Sequence, residues 1–96
     1  MKERDLQEGE VRTVRIEERD ILLYRGDGFI SAIEGTCSHA GGPLGRGSVE
    51  DGAVTCPWHD SRFDLLEGRV LRGPAQFSQP VLETRFREGW IEVRRR

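Results

Sequence analysis

The sequence predicts an all-β fold, a small antiparallel sandwich or barrel, and three observations indicate it. Short segments rich in β-branched and aromatic residues alternate with glycine-containing turn pairs along most of the chain. No stretch of the sequence keeps a helical period of apolar residues over three turns. The 96 residues are enough for one core and little more, so we expect a single domain spanning residues 1–96.

Two Asp-Gly pairs predict hairpins. Asp27-Gly28 separates two apolar segments, and Asp51-Gly52 separates two short segments that each carry a valine. Both central positions of a two-residue hairpin turn take a positive φ, which glycine accepts and aspartate tolerates. A pair of antiparallel strands is therefore expected around each turn.

Two Glu-Gly pairs are weaker turn signals. Folding the chain at Glu88-Gly89 makes one strand face largely apolar and the other charge-paired, which supports that register. The expected partners are Phe86 and Ile91, Thr84 and Val93, Arg85 and Glu92, and Glu83 and Arg94. A turn at Glu67-Gly68 similarly predicts that Leu65 lies opposite Val70.

The middle of the chain differs from its flanks. Residues 36–77 are richer in glycine and contain every cysteine and histidine, whereas residues 11–35 and 78–95 read as ordinary strands. We expect a smaller lobe of residues 36–77 inserted into a β-base formed by the two flanks. Four aromatic residues on predicted strands are expected in the core: Tyr24, Phe29, Phe86 and Trp90.

Charge and hydropathy argue against several classes of partner. Fifteen basic and seventeen acidic residues give a net charge of -2 without a basic block before the last three residues, so nucleic acid is not expected. The sequence has no apolar run that could cross a bilayer or form a signal-peptide core. We therefore expect no membrane partner and a soluble, cytoplasmic protein. Without a secretory context, the two cysteines are better explained as ligands than as a disulfide.

Both cysteines and both histidines fall in two short segments. Cys37 and His39 lie two residues apart, and Cys56 and His59 follow after a gap of sixteen residues. Two thiolates with two imidazoles suit either a tetrahedral Zn²⁺ or a two-iron cluster in which histidine replaces cysteine on one iron. Zinc fingers usually place like ligands together, whereas here each segment supplies one of each. This alternation favours a binuclear centre, with zinc as the alternative.

The pattern Cys-x-His with a later Cys-x-x-His resembles the motif of soluble Rieske-type [2Fe–2S] ferredoxins. The likeness extends to Cys37 through Leu44, to Phe63-Asp64-Leu65 and Gly68 after the second segment, and to Gly73-Pro74-Ala75, which resembles the family's covering proline loop. The resemblance implies one Rieske cluster per chain. It also implies that Cys37 and Cys56 hold the inner iron, while His39 and His59 hold the outer iron near solvent.

Such a ligand set suits electron transfer. Neutral imidazoles make the centre less negative than four thiolates do, which raises the potential to roughly −150 to +300 mV, against about −400 mV for plant-type ferredoxins. The resemblance implies a one-electron carrier without catalytic residues, which takes electrons from a flavin-dependent reductase and passes them to an oxygenase or related oxidase. The alternatives are a small Rieske subunit of a larger redox enzyme, such as nitrite reductase, and a redox or iron sensor.

Two departures separate the chain from the respiratory branch of the family. That branch adds a cysteine to each ligand segment, and Gly42 and Trp58 stand at the comparable positions here. It also carries an N-terminal membrane anchor, for which the first twenty residues offer no apolar stretch. Membership of a quinol-oxidising complex is therefore not expected.

Residues after the second histidine bear on the potential. The high-potential branch has a serine that donates a hydrogen bond to cluster sulfur and a tyrosine two residues further on. Here Ser61 could make the same bond or only cap a turn, and Phe63 lacks the hydroxyl. We expect a potential modestly above that of typical oxygenase ferredoxins. Asp60 stands where the family usually has glycine, which leaves the local backbone conformation open.

Four apolar side chains could surround the histidines. Trp58, Leu44, Pro43 and Phe77 are predicted to form a collar that either docks partners or covers the cluster, which would exclude water and tune the potential. Pro74 is assigned to the covering loop by the same resemblance.

Overall fold

The computed structural model describes residues 1–37, 41–58, 60–75 and 77–95. These residues form nine strands and two short 3₁₀ turns, Glu3–Asp5 and Leu44–Arg46, with no α-helix in the described part. The strands are β1 (Val11–Ile16), β2 (Arg19–Gly26), β3 (Phe29–Glu34), β4 (Ser48–Glu50), β5 (Ala53–Thr55), β6 (Arg62–Asp64), β7 (Val70–Arg72), β8 (Val81–Arg87) and β9 (Trp90–Arg94). The predicted all-β class is confirmed.

The strands form two antiparallel sheets. Five strands pair in the order β1-β2-β3-β8-β9, and four pair in the order β4-β5-β6-β7. Because β8 returns to pair with β3, the second sheet lies in sequence between two halves of the first. One cysteine follows β3 and the other follows β5, so the two sheets each lead into one ligand segment.

Both predicted Asp-Gly turns are present. Asp27 and Gly28 have φ values of 55° and 79°, and Asp51 and Gly52 have 54° and 72°. These left-handed conformations match the right-handed twist of the strands they connect. Strands β2 and β3 are joined by the first turn, and β4 and β5 by the second.

The predicted register of the last hairpin is confirmed. Phe86 pairs with Ile91, Thr84 with Val93, Arg85 with Glu92, and Glu83 with Arg94. The Arg85–Glu92 and Arg94–Glu83 pairs form salt bridges, as the alternation of charges indicated.

The prediction around Glu67-Gly68 is wrong in register. Phe63, and not Leu65, pairs with Val70, because the connection spans residues 65–68 instead of two residues, and Gly68 donates its amide to the Asp64 carbonyl at 2.8 Å. Leu65 lies beyond β6 and is fully buried.

Two apolar clusters lie on opposite faces of the first sheet. One lies between the sheets and contains both cysteines; its members are Leu22, Ile33, Cys37, Leu44, Val54, Cys56, Phe63, Leu65 and Ala75. The other is centred on Leu6, Ile21, Leu23, Ala32 and Ile91. Strand β2 therefore reads as a continuous apolar run because both of its faces are buried.

Three of the four aromatic residues expected in the core are exposed. Phe29, Phe86 and Trp90 retain 68%, 54% and 49% of their accessible surface, while Tyr24 is half-buried. Phe29 and Trp90 each begin a strand directly after a hairpin turn, and Phe86 lies two residues before one. All three lie beside a hairpin turn, whereas buried members of this sheet such as Leu23 and Ala32 lie in the middle of their strands.

One buried polar side chain links the two sheets, and a second links two segments of the first sheet. The Ser31 hydroxyl donates to the Leu65 carbonyl at 2.7 Å, and the Gln79 side-chain amide donates to the carbonyls of Glu34 and Thr36, both at 2.7 Å. These bonds fix the start of the first ligand segment against the return strand. In the part of the chain described, no helix has the length and apolar character needed to cross a membrane.

Candidate metal centre

The first ligand segment is a tight loop. Cys37 is buried, its amide donates to the Gly42 carbonyl at 2.8 Å, and its carbonyl accepts from the Gly41 amide at 2.9 Å. Gly41 has a φ of 74°, which lets the chain fold back so closely. His39 lies outside the described residues.

The second ligand segment presents its sulfur inward. Cys56 follows β5, is fully buried, and donates its amide to the Ser61 carbonyl at 2.7 Å. The Trp58 amide points at the Cys56 Sγ atom, 3.4 Å away. An amide directed at sulfur stabilises the thiolate that a metal requires. His59 lies outside the described residues.

The two thiols share one dry environment. Burial raises the pKa of the Cys56 thiol, the Trp58 amide opposes this, and the neighbouring Cys37 side chain and the Asp60 charge raise the pKa further. Both cysteines are free thiols. Two thiolates here would be costly without a nearby cation, so the arrangement suits a metal that displaces both protons.

Gly42 holds the two ligand segments together at close range. A Cβ atom at this position would lie 2.7 Å from Cys56 Sγ and 3.2 Å from Trp58 Cβ. Real side-chain atoms do not approach so closely, so only glycine leaves space beside the sulfur. Gly42 and Trp58 thus face each other where the respiratory branch carries its extra cysteines, and neither residue can form a disulfide.

Ser61 joins the second ligand segment to the predicted proline loop. Its side chain is fully buried, and its hydroxyl oxygen accepts the Ala75 amide at 2.9 Å. Within the described residues the Ser61 hydroxyl hydrogen has no acceptor, so it remains available to a group in the site. Pro74, one residue before Ala75, is exposed.

Asp60 has a left-handed backbone, with a φ of 61°. This is the conformation that glycine adopts most readily, and aspartate is among the few other residues that tolerate it. The question left open by this replacement is thus answered for the present chain: Asp60 takes a conformation that glycine adopts readily. The Asp60 carbonyl accepts two hydrogen bonds from the Arg72 guanidinium, at 3.2 and 3.3 Å.

The predicted apolar collar is only partly present. Leu44 is fully buried in the cluster between the sheets and contributes nothing to an exposed surface. Pro43 is half-buried, whereas Trp58 and Phe77 retain 50% and 73% of their surface. Phe63 is also fully buried, between Val54 and Val70 on the neighbouring strands.

Sequence reasoning missed two residues that contact the ligand segments, Gln79 and Arg72, since neither belongs to a motif.

The described residues fit a two-iron cluster. They supply two adjacent buried thiols, an amide directed at one sulfur, and a glycine that keeps space beside it. Thiolates of this kind suit one iron of a centre whose other iron takes imidazoles.

Comparison with known proteins agrees with this chemistry. The family model of the Rieske [2Fe–2S] domain matches residues 1–83. The ferredoxin component of the naphthalene 1,2-dioxygenase system of Pseudomonas putida is 34% identical over 70 residues, which cover 73% of this chain and 67% of the relative.

Two solved structures have the same fold. The ferredoxin of carbazole 1,9a-dioxygenase from Nocardioides aromaticivorans IC177 superposes with a TM-score of 0.88 at 21% identity, covering 100% of this chain and 94% of that chain. A chain in the complex of reduced oxygenase and oxidized ferredoxin in carbazole 1,9a-dioxygenase superposes with a TM-score of 0.85 at 28% identity, covering 96% and 86%.

The fold and the thiol pair define an iron–sulfur protein, and the chain belongs to the Rieske [2Fe–2S] domain family. Members of that family bind a Rieske-type cluster, so the predicted cofactor is confirmed. Like its ferredoxin relatives, the chain is an electron-transfer protein and not itself an enzyme. The zinc alternative is set aside.

Proposed function

We propose that Cys37, Cys56, His39 and His59 hold the cluster, with the cysteines on the inner iron and the histidines on the outer iron. The observation that carries this assignment is that two buried thiols are neighbours, with Gly42 bonded to the Cys37 amide and close to Cys56 Sγ. His39 and His59 are assigned as ligands from their spacing in the sequence. In the same proposal, residues 36–77 act as the cluster-binding lobe on a β-base of residues 11–35 and 78–95.

The bound cluster supplies the uptake and release of one electron. The chain's own residues set the conditions for this exchange. Burial of both sulfurs excludes water, while the Trp58 amide favours negative charge on Cys56 Sγ. Imidazoles near solvent would bring the outer iron within reach of a partner.

The proposed route runs from a flavin-dependent reductase to an oxygenase or related oxidase, in the cytoplasm and without nucleic acid or membrane partners. Support for the acceptor comes from the relatives, which include ferredoxin components of dioxygenase systems and a ferredoxin solved with its oxygenase. The reductase follows from the need for a donor of single electrons. The alternative is a small subunit bound permanently within a larger redox enzyme, which co-purification with a catalytic chain at constant stoichiometry would indicate.

Anaerobic stopped-flow mixing tests the carrier role. The chemically reduced protein is mixed with the oxygenase purified from the same organism, and the visible spectra of both proteins are followed. We expect one electron per chain to pass to the oxygenase, and the Cys56→Ser variant to lose the cluster and the activity together. Absence of transfer to the oxygenase, while the cluster remains intact and reducible, would contradict the proposed acceptor.

A further inference from the structure

Two arginines lie directly opposite each other on β6 and β7. Phe63 pairs with Val70, so an unbroken ladder would place Leu71 opposite Arg62. The register instead shifts by one residue, and Arg72 becomes the partner of Arg62. Bulges of this kind re-aim side chains and are frequent beside functional sites.

The charges of this pair are not neutralised within the described residues. Arg62 donates to the Glu50 carbonyl at 3.0 Å and Arg72 to the Asp60 carbonyl, so both guanidinium groups bind main-chain oxygens and no carboxylate. Seven other arginines of the described part each pair with a carboxylate. Like charges directly opposite in a sheet are destabilising. The Arg62–Arg72 pair therefore has a cost for which the described residues show no compensating ion pair.

The pair borders the ligand segments. Arg62 directly follows Ser61, and Arg72 directly precedes the Gly73-Pro74 loop. The Arg72 side chain reaches the Asp60 carbonyl, one residue beyond the second histidine. The chain as a whole carries a net charge of -2, so this positive region is local and can orient an approaching molecule.

We propose that Arg62 and Arg72 form an anion-recognising patch that docks a carboxylate-bearing surface of the electron acceptor beside the cluster. Paired guanidinium groups suit this role because each can bind a carboxylate in a bidentate manner. The inference deepens the proposed function and depends on it for the identity of the occupant. Attraction to the patch holds the partner beside the second ligand segment, because Arg72 contacts Asp60 and Arg62 follows Ser61.

The charge of the patch can be tested with small oxidants of opposite charge. One electron passes from the reduced protein to ferricyanide, giving ferrocyanide, or to tris(phenanthroline)cobalt(III), giving the cobalt(II) complex. For Arg62→Gln/Arg72→Gln we expect the ferricyanide rate to fall about 3- to 10-fold at low ionic strength, while the cobalt rate does not fall. The difference should shrink as salt is added.

Two further double variants separate charge from structure. Arg62→Lys/Arg72→Lys loses the planar guanidinium groups but keeps both charges. Because the charges remain, its ferricyanide rate should stay close to that of the wild type. Arg87→Gln/Arg95→Gln removes the same net charge from exposed positions on β8 and directly after β9, and should change either rate less than twofold. Equal losses in the two glutamine variants, or an equal loss in the lysine variant, would overturn the proposal.

A binding measurement makes the test independent of electron transfer. Fluorescein-labelled poly-L-glutamate is titrated with each protein at low salt, and its anisotropy is followed. We expect the dissociation constant to rise several-fold for Arg62→Gln/Arg72→Gln and to remain unchanged for Arg87→Gln/Arg95→Gln. This result stands even if the natural acceptor is not an oxygenase. Identical affinities in the two glutamine variants would exclude an anion-recognising patch.

Discussion

The amide of Ala75 donates a hydrogen bond to the hydroxyl oxygen of Ser61 at 2.9 Å, and both residues are buried. This bond ties the loop after β7 to the segment that follows the second histidine. The hydroxyl uses its oxygen to accept, so its hydrogen can still be donated into the site. Ser61 thus has a structural role, and we predict an electrostatic role that a separate measurement on the same variant can distinguish from it.

The Ser61→Ala variant should lose both roles. Leaving the buried Ala75 amide unpaired costs about 1–3 kcal/mol in the free energy of unfolding. Loss of a donor to sulfur destabilises the reduced form, and about 1 kcal/mol corresponds to roughly 40 mV for one electron, so the midpoint potential should fall. Thermal unfolding and spectroelectrochemistry measure the two effects, with exposed Ser48→Ala as the control. A lower stability with an unchanged potential would limit Ser61 to the structural role.

The Gly42→Ala variant should fail to hold the cluster. Its methyl group would lie 2.7 Å from Cys56 Sγ, which forces the two ligand segments apart. We expect the iron content and the visible absorbance to drop several-fold in the purified protein. Gly9→Ala is the control, because no atom lies within 4 Å of its Cβ position and its positive φ adds only local strain. Full iron occupancy in Gly42→Ala would show that the described packing of the segments is wrong.

Asp60 should lower the midpoint potential through its charge. Burial is the main cause of the raised pKa of Cys56, and the Asp60 charge adds to it, which places this carboxylate within electrostatic reach of the site. Asp60→Asn keeps a residue that tolerates the left-handed backbone and should raise the potential by roughly 40 mV, for an interaction of about 1 kcal/mol. Asp51→Asn removes the same charge from another left-handed turn position, with a φ of 54°. Equal shifts in both variants would contradict a local effect.

Gln79 should stabilise the first ligand segment through its side-chain hydrogen bonds to the carbonyls of Glu34 and Thr36. Gln79→Leu leaves the carbonyls of Glu34 and Thr36 without their donor, and we expect the free energy of unfolding to fall by about 2–4 kcal/mol. Gln7→Leu removes a similar side-chain bond at an exposed site, to the Arg4 carbonyl, and should cost far less. Chemical denaturation of both proteins measures the difference. Equal costs would show that the buried bonds contribute little.

Much of the fold was predictable because its turns carry their own chemistry. Asp-Gly and Glu-Gly pairs, which the structure shows at positive φ, predicted three hairpins. The alternation of charges predicted the register of the last hairpin. The hairpin between β1 and β2 was not predicted, because Glu17 and Glu18 occupy its left-handed positions at φ values of 50° and 66°. Two glutamates carry no turn signal, so tertiary pairing of the flanking strands imposes this conformation.

The candidate site was likewise predictable only in part. The ligand motif was readable because its four residues are rare and lie in two short segments. The contacts of Gln79 could not be predicted, because they join residues that are far apart in the sequence. The pairing of Arg62 with Arg72 could not be predicted either, because it depends on a bulge that shifts the register between β6 and β7. Leu44 was misplaced because an apolar residue beside a ligand loop can equally face the core.

The electron paramagnetic resonance spectrum of the reduced protein tests the central claim most directly. A cluster with two histidine ligands should give a rhombic signal whose average g value lies below that of all-cysteine [2Fe–2S] proteins. We predict such a signal, integrating to about one spin per chain for one cluster per chain. A colourless protein with stoichiometric zinc after anaerobic purification, or a signal with the average g value of an all-cysteine cluster, would contradict the account.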